Sequence, residues 1–108
     1  MNNLNNIIIE GVLTGLNSFV GSPDGKKELT FGIGVEKNIK NENDEVTIQT
    51  SYFDVKVYGN LAEFILTKIK SGQGIRIVGR LEQESIIISD DKVANYVYIL
   101  GEHIEFRR

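Results

Sequence analysis

The segment from residue 52 to residue 58, YFDVKVY, carries the side chains best suited to binding chemistry. Successive side chains of a strand point to opposite faces, so its apolar residues are predicted to face a core: Phe53, Val55 and Val57. Tyr52, Lys56 and Tyr58 then share the outer face. Exposed rings can stack on nucleobases, and a lysine beside them can bind a phosphate. Cross-strand packing or a contact between subunits is the alternative use of such tyrosines.

Basic residues of other segments are predicted to join this face. In the strand that follows residue 74, Arg76 and Arg80 take the outward parity. The inward parity of that strand holds Ile75, Ile77, Gly79 and Leu81. Lysines of the second predicted strand and its flanking turns are further candidates for phosphate contacts: Lys26, Lys27, Lys37 and Lys40.

Acidic residues oppose these cations on the predicted face: Asp54, Glu82 and Glu84. If Lys56, Arg76 and Arg80 alone neutralise about three phosphates, the logarithm of the affinity should fall with the logarithm of the salt concentration with a slope near −2, at about 0.7 per contact. Tighter binding would require the loops to contribute the four lysines Lys26, Lys27, Lys37 and Lys40. Tyr96 and Tyr98 share one parity and fit either ligand binding or subunit contact, so neither is assigned a role.

One helix is predicted between these two strands. Its apolar residues recur at helical spacing: Leu61, Phe64, Ile65 and Ile69. Asn60 occupies the N-cap position with Glu63 three residues later, which predicts a capping box. Lys68 and Lys70 are predicted to lie in the last turn, and Gly72 to end the helix in a left-handed conformation.

Three further strands complete the predicted fold. The first directs Ile7, Ile9 and Leu13 inward, and its Gly11 and Gly15 indicate the bulges or sharp coiling that close a barrel. A hairpin turn is predicted at residues 22–25, a second strand over residues 27–37, a mobile polar loop over residues 38–44 and a last strand from residue 96. Five strands with one helix between the third and the fourth predict an all-β protein with an OB-fold, a five-stranded Greek-key barrel.

The second predicted strand has an uneven outer face. Its inward parity is apolar: Leu29, Phe31, Ile33 and Val35. Gly32 and Gly34 fall on the outward parity, where the missing side chains let another group approach the backbone closely. A tight bend is the alternative reason for these glycines.

Composition sets limits on the class of protein. The chain of 108 residues is predicted to form one domain, 1–108, and its net charge of −3 argues against holding a polyanion by charge alone. It has no cysteine, a single histidine at His103, and Asp90 and Asp91 in a predicted turn. We therefore expect no metal site, no cofactor and no enzymatic activity. With no membrane-length apolar run and no secretory signal, a cytoplasmic location is expected.

Four segments resemble the single-stranded DNA-binding proteins of bacteria (SSB): NNIIIEGVLTG from residue 5, YFDVKVYGNLAEF from residue 52, KSGQGIRIVGRLEQES from residue 70 and YILGEHIEF from residue 98. The most specific part is an aromatic residue, a glycine and a polar residue followed by Leu61, Ala62 and Glu63, with GRL downstream at residues 79–81. The resemblance covers nearly the whole chain.

This resemblance implies an OB-fold that coats single-stranded DNA in replication, repair or recombination, without strong sequence preference and without catalysis. It assigns two of the family's base-stacking positions to Tyr52 and Tyr58, whereas two others fall near Ile39 and Ile86. It also implies a homotetramer or homodimer and partners among replication proteins. Family members commonly continue into a flexible linker with an acidic tip, and we expect none here because the sequence ends at Arg108.

A second interpretation stays open. The acidic residues on the predicted face also fit an oligomeric OB-fold module that binds proteins and has lost its affinity for DNA. A replication-restart accessory of the same fold, with weak affinity for single strands, is a related alternative.

Two runs of isoleucine, at residues 7–9 and 86–88, break the strand alternation. Three successive apolar residues cannot all face one core, so Ile8 and Ile87 are predicted to be covered by another subunit. A barrel that curls enough to cover them itself is the alternative.

Overall fold

The computed structural model describes residues 2–21 and 24–107. Its elements in chain order are β1 (Ile7–Gly21), β2 (Lys27–Lys40), β3 (Val46–Tyr58), α1 (Gly59–Lys68), β4 (Gly74–Ser89) and β5 (Lys92–Arg107). The strands close into a barrel in the order β1-β2-β3-β5-β4, in which β3 and β5 run parallel and the other neighbours antiparallel. This is the strand order of an OB-fold, so the predicted fold class is confirmed.

Alternating apolar side chains of all five strands fill the barrel, as period two requires. The helix α1 packs against β2 and β3 and adds Ala62 and Ile65 to the same core. The buried apolar residues are Leu13, Leu29, Phe31, Ile33, Val55, Val57, Ala62, Ile65, Ile75, Ile77 and Ile99. Among the described residues, no helix is long and apolar enough to cross a membrane.

The long first strand closes the barrel because it pairs with two neighbours in turn. Residues 7–12 pair with β4 and residues 12–21 pair with β2. Where β1 passes from one partner to the other, a Cβ on Gly11 would lie 2.6 Å from the carbonyl oxygen of Gly34, so glycine is required by close backbone approach. Register shifts between Leu13 and Gly15 and between Leu16 and Ser18 confirm the predicted bulges in this strand.

The hairpin of β2 and β3 extends further than the sequence indicated. The predicted mobile loop at residues 38–44 is wrong, because the ladder continues until Lys40 pairs with Val46. The side-chain oxygen of Asn41 accepts hydrogen bonds from the backbone N–H groups of Asn43 at 2.9 Å and Glu45 at 3.0 Å. This short turn leaves few residues outside the strands. The last strand likewise begins at Lys92, four residues before the predicted start.

The ends of the helix differ from the prediction. The N-cap residue is Tyr58, and no side chain caps the first turn, so the predicted capping box of Asn60 and Glu63 is wrong. Gly59, with a φ of 66°, turns the chain into the helix. Lys68 lies in the last turn as predicted, but Ile69 is already extended, so Lys70 and Gly72 lie beyond the helix. Gly72 does have a positive φ of 86°.

The predicted hairpin turn between β1 and β2 is described only in part. Ser22 and Pro23 of this turn lie outside the described residues, and Gly25 has a φ of 87°.

Two residues with the predicted inward parity are not buried. Phe53 and Leu81 are exposed, so their predicted burial is wrong. They lie past the buried residues of β3 and β4, where these strands leave the closed barrel.

Candidate nucleic-acid interface

Aromatic side chains of β3 and β5 gather on one outer surface, called here the tyrosine face, which consists of Tyr52, Lys56, Tyr58, Tyr96 and Tyr98. Parallel pairing of β3 with β5 brings the aromatic residues of the two strands together. In this pairing Val55 lies opposite Ile99, and Lys56 lies opposite Leu100. Tyr52 is 71% exposed and Tyr58 is 45% exposed, so both predicted stacking residues point away from the core.

The outward glycines of β2 provide space for this face. Gly34 pairs with Tyr52 across the β2–β3 ladder, and a Cβ on Gly34 would lie 3.4 Å from ring atom Cε1 of Tyr52. A Cβ on Gly32 would lie 2.5 Å from the Thr14 hydroxyl oxygen. Both glycines are buried. The prediction that another group approaches the backbone is confirmed, and the groups are side chains of this chain itself.

The Tyr58 ring is held at its hydroxyl. Its O–H donates to Glu28 Oε1 at 3.0 Å. Burial, followed by hydrogen bonding to Tyr98 and Glu28, raises the pKa of Tyr58 far above its ordinary value. Lys26 and Lys27 lie beside the ring and line with it a shallow cleft of about 240 Å³.

Lys56 lies at the centre of the tyrosine face and is only 12% exposed. Its Nζ lies 2.7 Å from Glu84 Oε1 and 3.3 Å from Glu28 Oε1. Burial acts to lower the pKa of Lys56, but the hydrogen bonds and charges of Glu84 and Glu28 outweigh burial, so the pKa is raised. The cation predicted to bind phosphate therefore already contacts two carboxylates.

Tyr96 and Tyr98, which the sequence left without a role, complete the face. Their ring centroids are 5.6 Å apart with an interplanar angle of 30°. The Tyr96 hydroxyl donates to Asp54 Oδ2 at 2.6 Å. Burial and this hydrogen bond raise the pKa of Tyr96 to about 12. Their shared parity was the only sequence signal, because the pairing of β5 with β3 joins residues more than 40 positions apart.

The predicted arginines occupy different places. Leu100 of β5 pairs with Lys56 on one side and with Arg80 on the other, which puts Arg80 beside the tyrosine face. Arg80 Nε donates to Glu82 at 2.7 Å. Arg76 lies further along β4, where it pairs with Glu10 at 3.3 Å and with Glu105 at 4.0 Å.

The predicted lysines of β2 lie at both ends of that strand. Lys27 forms an ion pair with Glu63 of α1, and Lys40 lies 3.5 Å from Asp44 in the hairpin turn. Lys37 lies opposite Gln49 on the projecting hairpin, and no carboxylate of the described residues is within ion-pair distance of it.

A cleft of about 280 Å³ opens next to Tyr52. Its lining comes from β3, β4 and β5: Tyr52, Phe53, Asp54, Leu81, Val97, Tyr98 and Ile99. The exposed Phe53 and Leu81 thus form part of a largely apolar recess between two tyrosines of the face. Across the described part of the chain, no group of three or more histidine or carboxylate side chains is placed to hold a metal ion.

The two isoleucines predicted to contact another subunit are both exposed. Ile8 is 73% exposed on β1, and Ile87 is 79% exposed near the tip of the β4–β5 hairpin, opposite Val93. The barrel therefore does not cover them by curling, which was the alternative to a subunit contact.

Comparison with known proteins gives consistent results. Residues 4–107 match the model of the Single-strand binding protein family. A single-stranded DNA-binding protein of Aquifex aeolicus is 36% identical over 101 residues, which cover 94% of this chain and 68% of that protein.

Solved structures share the fold. The SSB of Plasmodium falciparum, solved in complex with single-stranded DNA, superposes with a TM-score of 0.86 at 18% identity and covers 100% of this chain and 98% of its own. The wild-type single-stranded DNA-binding protein of Thermus aquaticus superposes with a TM-score of 0.80 at 24% identity, over 97% of this chain and 50% of its own. The chain thus spans about half the length of the Thermus aquaticus protein.

Proposed function

The chain belongs to the single-strand binding protein family, and from this we propose that it binds single-stranded DNA without catalysis, in replication, repair or recombination. The observation that carries the proposal is the exposed Tyr52 ring on the outer face of β3, lying over Gly34. Every nucleobase has a π face, so an exposed ring contributes about 1 to 3 kcal/mol per stacked base whatever the base. Binding is therefore proposed to be largely independent of sequence.

Tyr58 is the second proposed stacking residue. Its hydroxyl contact with Glu28 limits rotation of the ring, which reduces the entropy lost when a base stacks on it. Lys26 and Lys27 lie next to this ring and are proposed to bind the phosphates that flank the stacked base.

The remaining proposed phosphate contacts are Arg76, Arg80, Lys37 and Lys40. Arg76, Arg80 and Lys40 each contact a carboxylate, so each must exchange that partner for a phosphate on binding. This exchange lowers the gain per contact, because the new ion pair replaces an existing one. Lys37 needs no such exchange, so we expect it to gain the most from a phosphate among these four residues.

A second candidate function is an oligomeric interaction module with little or no affinity for DNA. It is favoured by the carboxylates on the tyrosine face: Glu28 and Glu84 contact Lys56, and Asp54 accepts a hydrogen bond from Tyr96. Like charges at the centre of the face repel phosphates. Under this alternative the exposed apolar side chains would bind other proteins.

We also propose that the protein is a homo-oligomer that uses the exposed Ile8 and Ile87. An exposed apolar side chain on a strand gains from burial against a second copy. Whether two or four copies assemble is decided by measuring the mass in solution.

Titration of labelled oligo-dT with the protein at about 50 mM and about 200 mM salt separates the two functions. The DNA-binding proposal predicts a complex at the lower salt concentration that weakens at the higher one, and weaker binding to a duplex of equal length. The interaction module predicts no complex at the lower salt concentration, and that result would reject the main proposal.

A further inference from the structure

The contacts of Lys56 differ from those of a lysine poised to bind a phosphate. Its Nζ contacts Glu84 and Glu28 at 2.7 Å and 3.3 Å, and the side chain is 12% exposed. The cation and its two carboxylates together carry a net negative charge. A phosphate that approached Nζ would meet both carboxylates first, so the centre of the tyrosine face favours the uncharged part of a nucleic acid.

The same ammonium group contacts aromatic rings. Nζ lies 4.6 Å from the ring centroid of Tyr98 and 5.3 Å from that of Tyr96. Both distances are within the range of cation–π attraction. Because Glu84 and Glu28 hold Nζ in place, Lys56 in turn restrains the Tyr98 ring.

The restrained Tyr98 ring borders the cleft beside Tyr52. Phe53 also lines this cleft, so side chains of β3 and β5 offer three aromatic rings around a recess of about 280 Å³. Aromatic side chains are the usual stacking partners of unpaired bases. The apolar lining of the recess, its one carboxylate, Asp54, and the carboxylates near Lys56 all favour a base over a phosphate.

We infer that Tyr98 is a further base-contact residue and that Lys56 is the positioning residue that holds it. The inference rests on the proposed function, because it assigns a second base site on the same DNA-binding face. A base entering the cleft stacks on Tyr98 while the phosphates pass along the basic residues at the edge of the face. Lys56 then contributes to binding through the ring and makes no phosphate contact.

Two ligands of equal length distinguish base contact from phosphate contact: oligo-dT, and a strand of the same number of base-free deoxyribose phosphates. Tyr98→Ala should weaken oligo-dT binding by about fivefold or more, the loss expected for one stacked base, and leave binding of the base-free strand unchanged. Tyr98→Phe keeps the ring and should bind oligo-dT within about twofold of wild type.

Lys56→Gln tests the positioning role. It should weaken oligo-dT binding about fivefold, while the base-free strand and the salt dependence of oligo-dT binding stay as in wild type. Lys56→Arg keeps the positive charge and offers a guanidinium that can stack on the rings, so it should bind oligo-dT more tightly than Lys56→Gln. Lys68→Gln is the matched control, because Lys68 also lies over an aromatic ring, that of Phe64 on the helix.

Several outcomes would overturn the inference. If Lys56→Gln weakens both ligands alike and reduces the salt slope by about 0.7, Lys56 is a phosphate contact. If Tyr98→Ala binds oligo-dT like wild type, Tyr98 contacts no base. If Tyr98→Ala changes the mass of the protein in solution instead, the cleft holds a second copy.

Separate controls test whether each variant is folded and whether the wild-type protein binds DNA. Thermal unfolding checks that each variant is folded. If Lys56→Gln unfolds, the double variant Lys56→Gln, Glu84→Gln replaces it, because it removes one positive and one negative charge. Together with Tyr98→Ala, this double variant then tests whether Lys56 positions Tyr98. Failure of the wild-type protein to bind oligo-dT would reject the proposed function itself. Wild-type binding with unaffected variants would reject only this inference.

Discussion

Tyr52 and Gly34 form a cross-strand pair in which the tyrosine ring lies next to the missing glycine side chain, with ring atom Cε1 3.4 Å from the position of a Cβ. The ring thereby lies against the β2 backbone while most of its surface remains exposed. A side chain at residue 34 would compete with the ring for this position.

Gly34→Val should therefore displace the Tyr52 ring and weaken oligo-dT binding by about fivefold, the loss expected for one stacked base. Valine is well suited to a strand, but its side chain also meets the methyl groups of Thr50 at 3.3 Å and Thr14 at 3.4 Å, so stability is measured together with affinity. Gly21→Val is the control, because a Cβ at Gly21 meets no atom of the described residues within 4 Å. Fluorescence titration and thermal unfolding of both variants check the prediction. Equal affinities of the two variants would show that the position of the ring does not matter.

Lys37→Gln should reduce the salt slope of oligo-dT binding by about 0.7, the value for one phosphate contact with a single strand. Lys37 is chosen because, within the described part of the chain, it has no carboxylate partner to exchange. Lys70→Gln, in the segment between α1 and β4, removes the same charge away from the hairpin and should leave the slope unchanged. Identical slopes for wild type and Lys37→Gln would remove Lys37 from the site.

Ile8→Lys and Ile87→Lys should each lower the mass of the protein in solution, because a lysine in an apolar subunit contact carries an unpaired buried charge. Multi-angle light scattering at micromolar concentration measures this mass. Phe64→Lys changes an exposed apolar residue of the helix and should keep the wild-type mass. A wild-type protein with the mass of one chain would contradict the proposed oligomer.

The burial of Tyr96 and its hydrogen bond to Asp54 predict a loss of stability at high pH. The pKa of Tyr96 is raised from 10.0 to about 12, so in this interval the folded protein retains a proton that the unfolded chain has released. The contribution is complete below about pH 10 and is lost as the pH rises towards about 12. Tyr96→Phe should show a smaller decrease in the free energy of unfolding between about pH 9 and about pH 11.5. Urea titrations at both values measure it, and equal decreases in both proteins would contradict the assignment.

Most of the fold followed from local pattern. The alternation in β3 assigned Val55 and Val57 to the core and Tyr52 and Tyr58 to the surface, because period two needs no knowledge of the partner strand. The bulges near Gly15 were also indicated by residue type. These features depend on residues that are close together in the sequence.

The remaining features depend on contacts between distant segments. The partners of Lys56 come from β2 and β4, and its aromatic contacts come from β5, so alternation within β3 gave only the side on which it lies. The burial of Phe53 was mispredicted because parity does not reveal where a strand leaves the barrel. The helix start was mispredicted because the positive φ of Gly59 replaces a side-chain cap.

The central claim is that Tyr52 and Tyr58 stack on the bases of single-stranded DNA, and oligo-dT titration of Tyr52→Ala combined with Tyr58→Ala tests it most directly. We predict that this double variant binds at least about tenfold more weakly than wild type, whereas the matched Phe pair, Tyr52→Phe with Tyr58→Phe, keeps both rings and binds nearly as well. Wild-type affinity in a folded double-alanine variant would contradict the account.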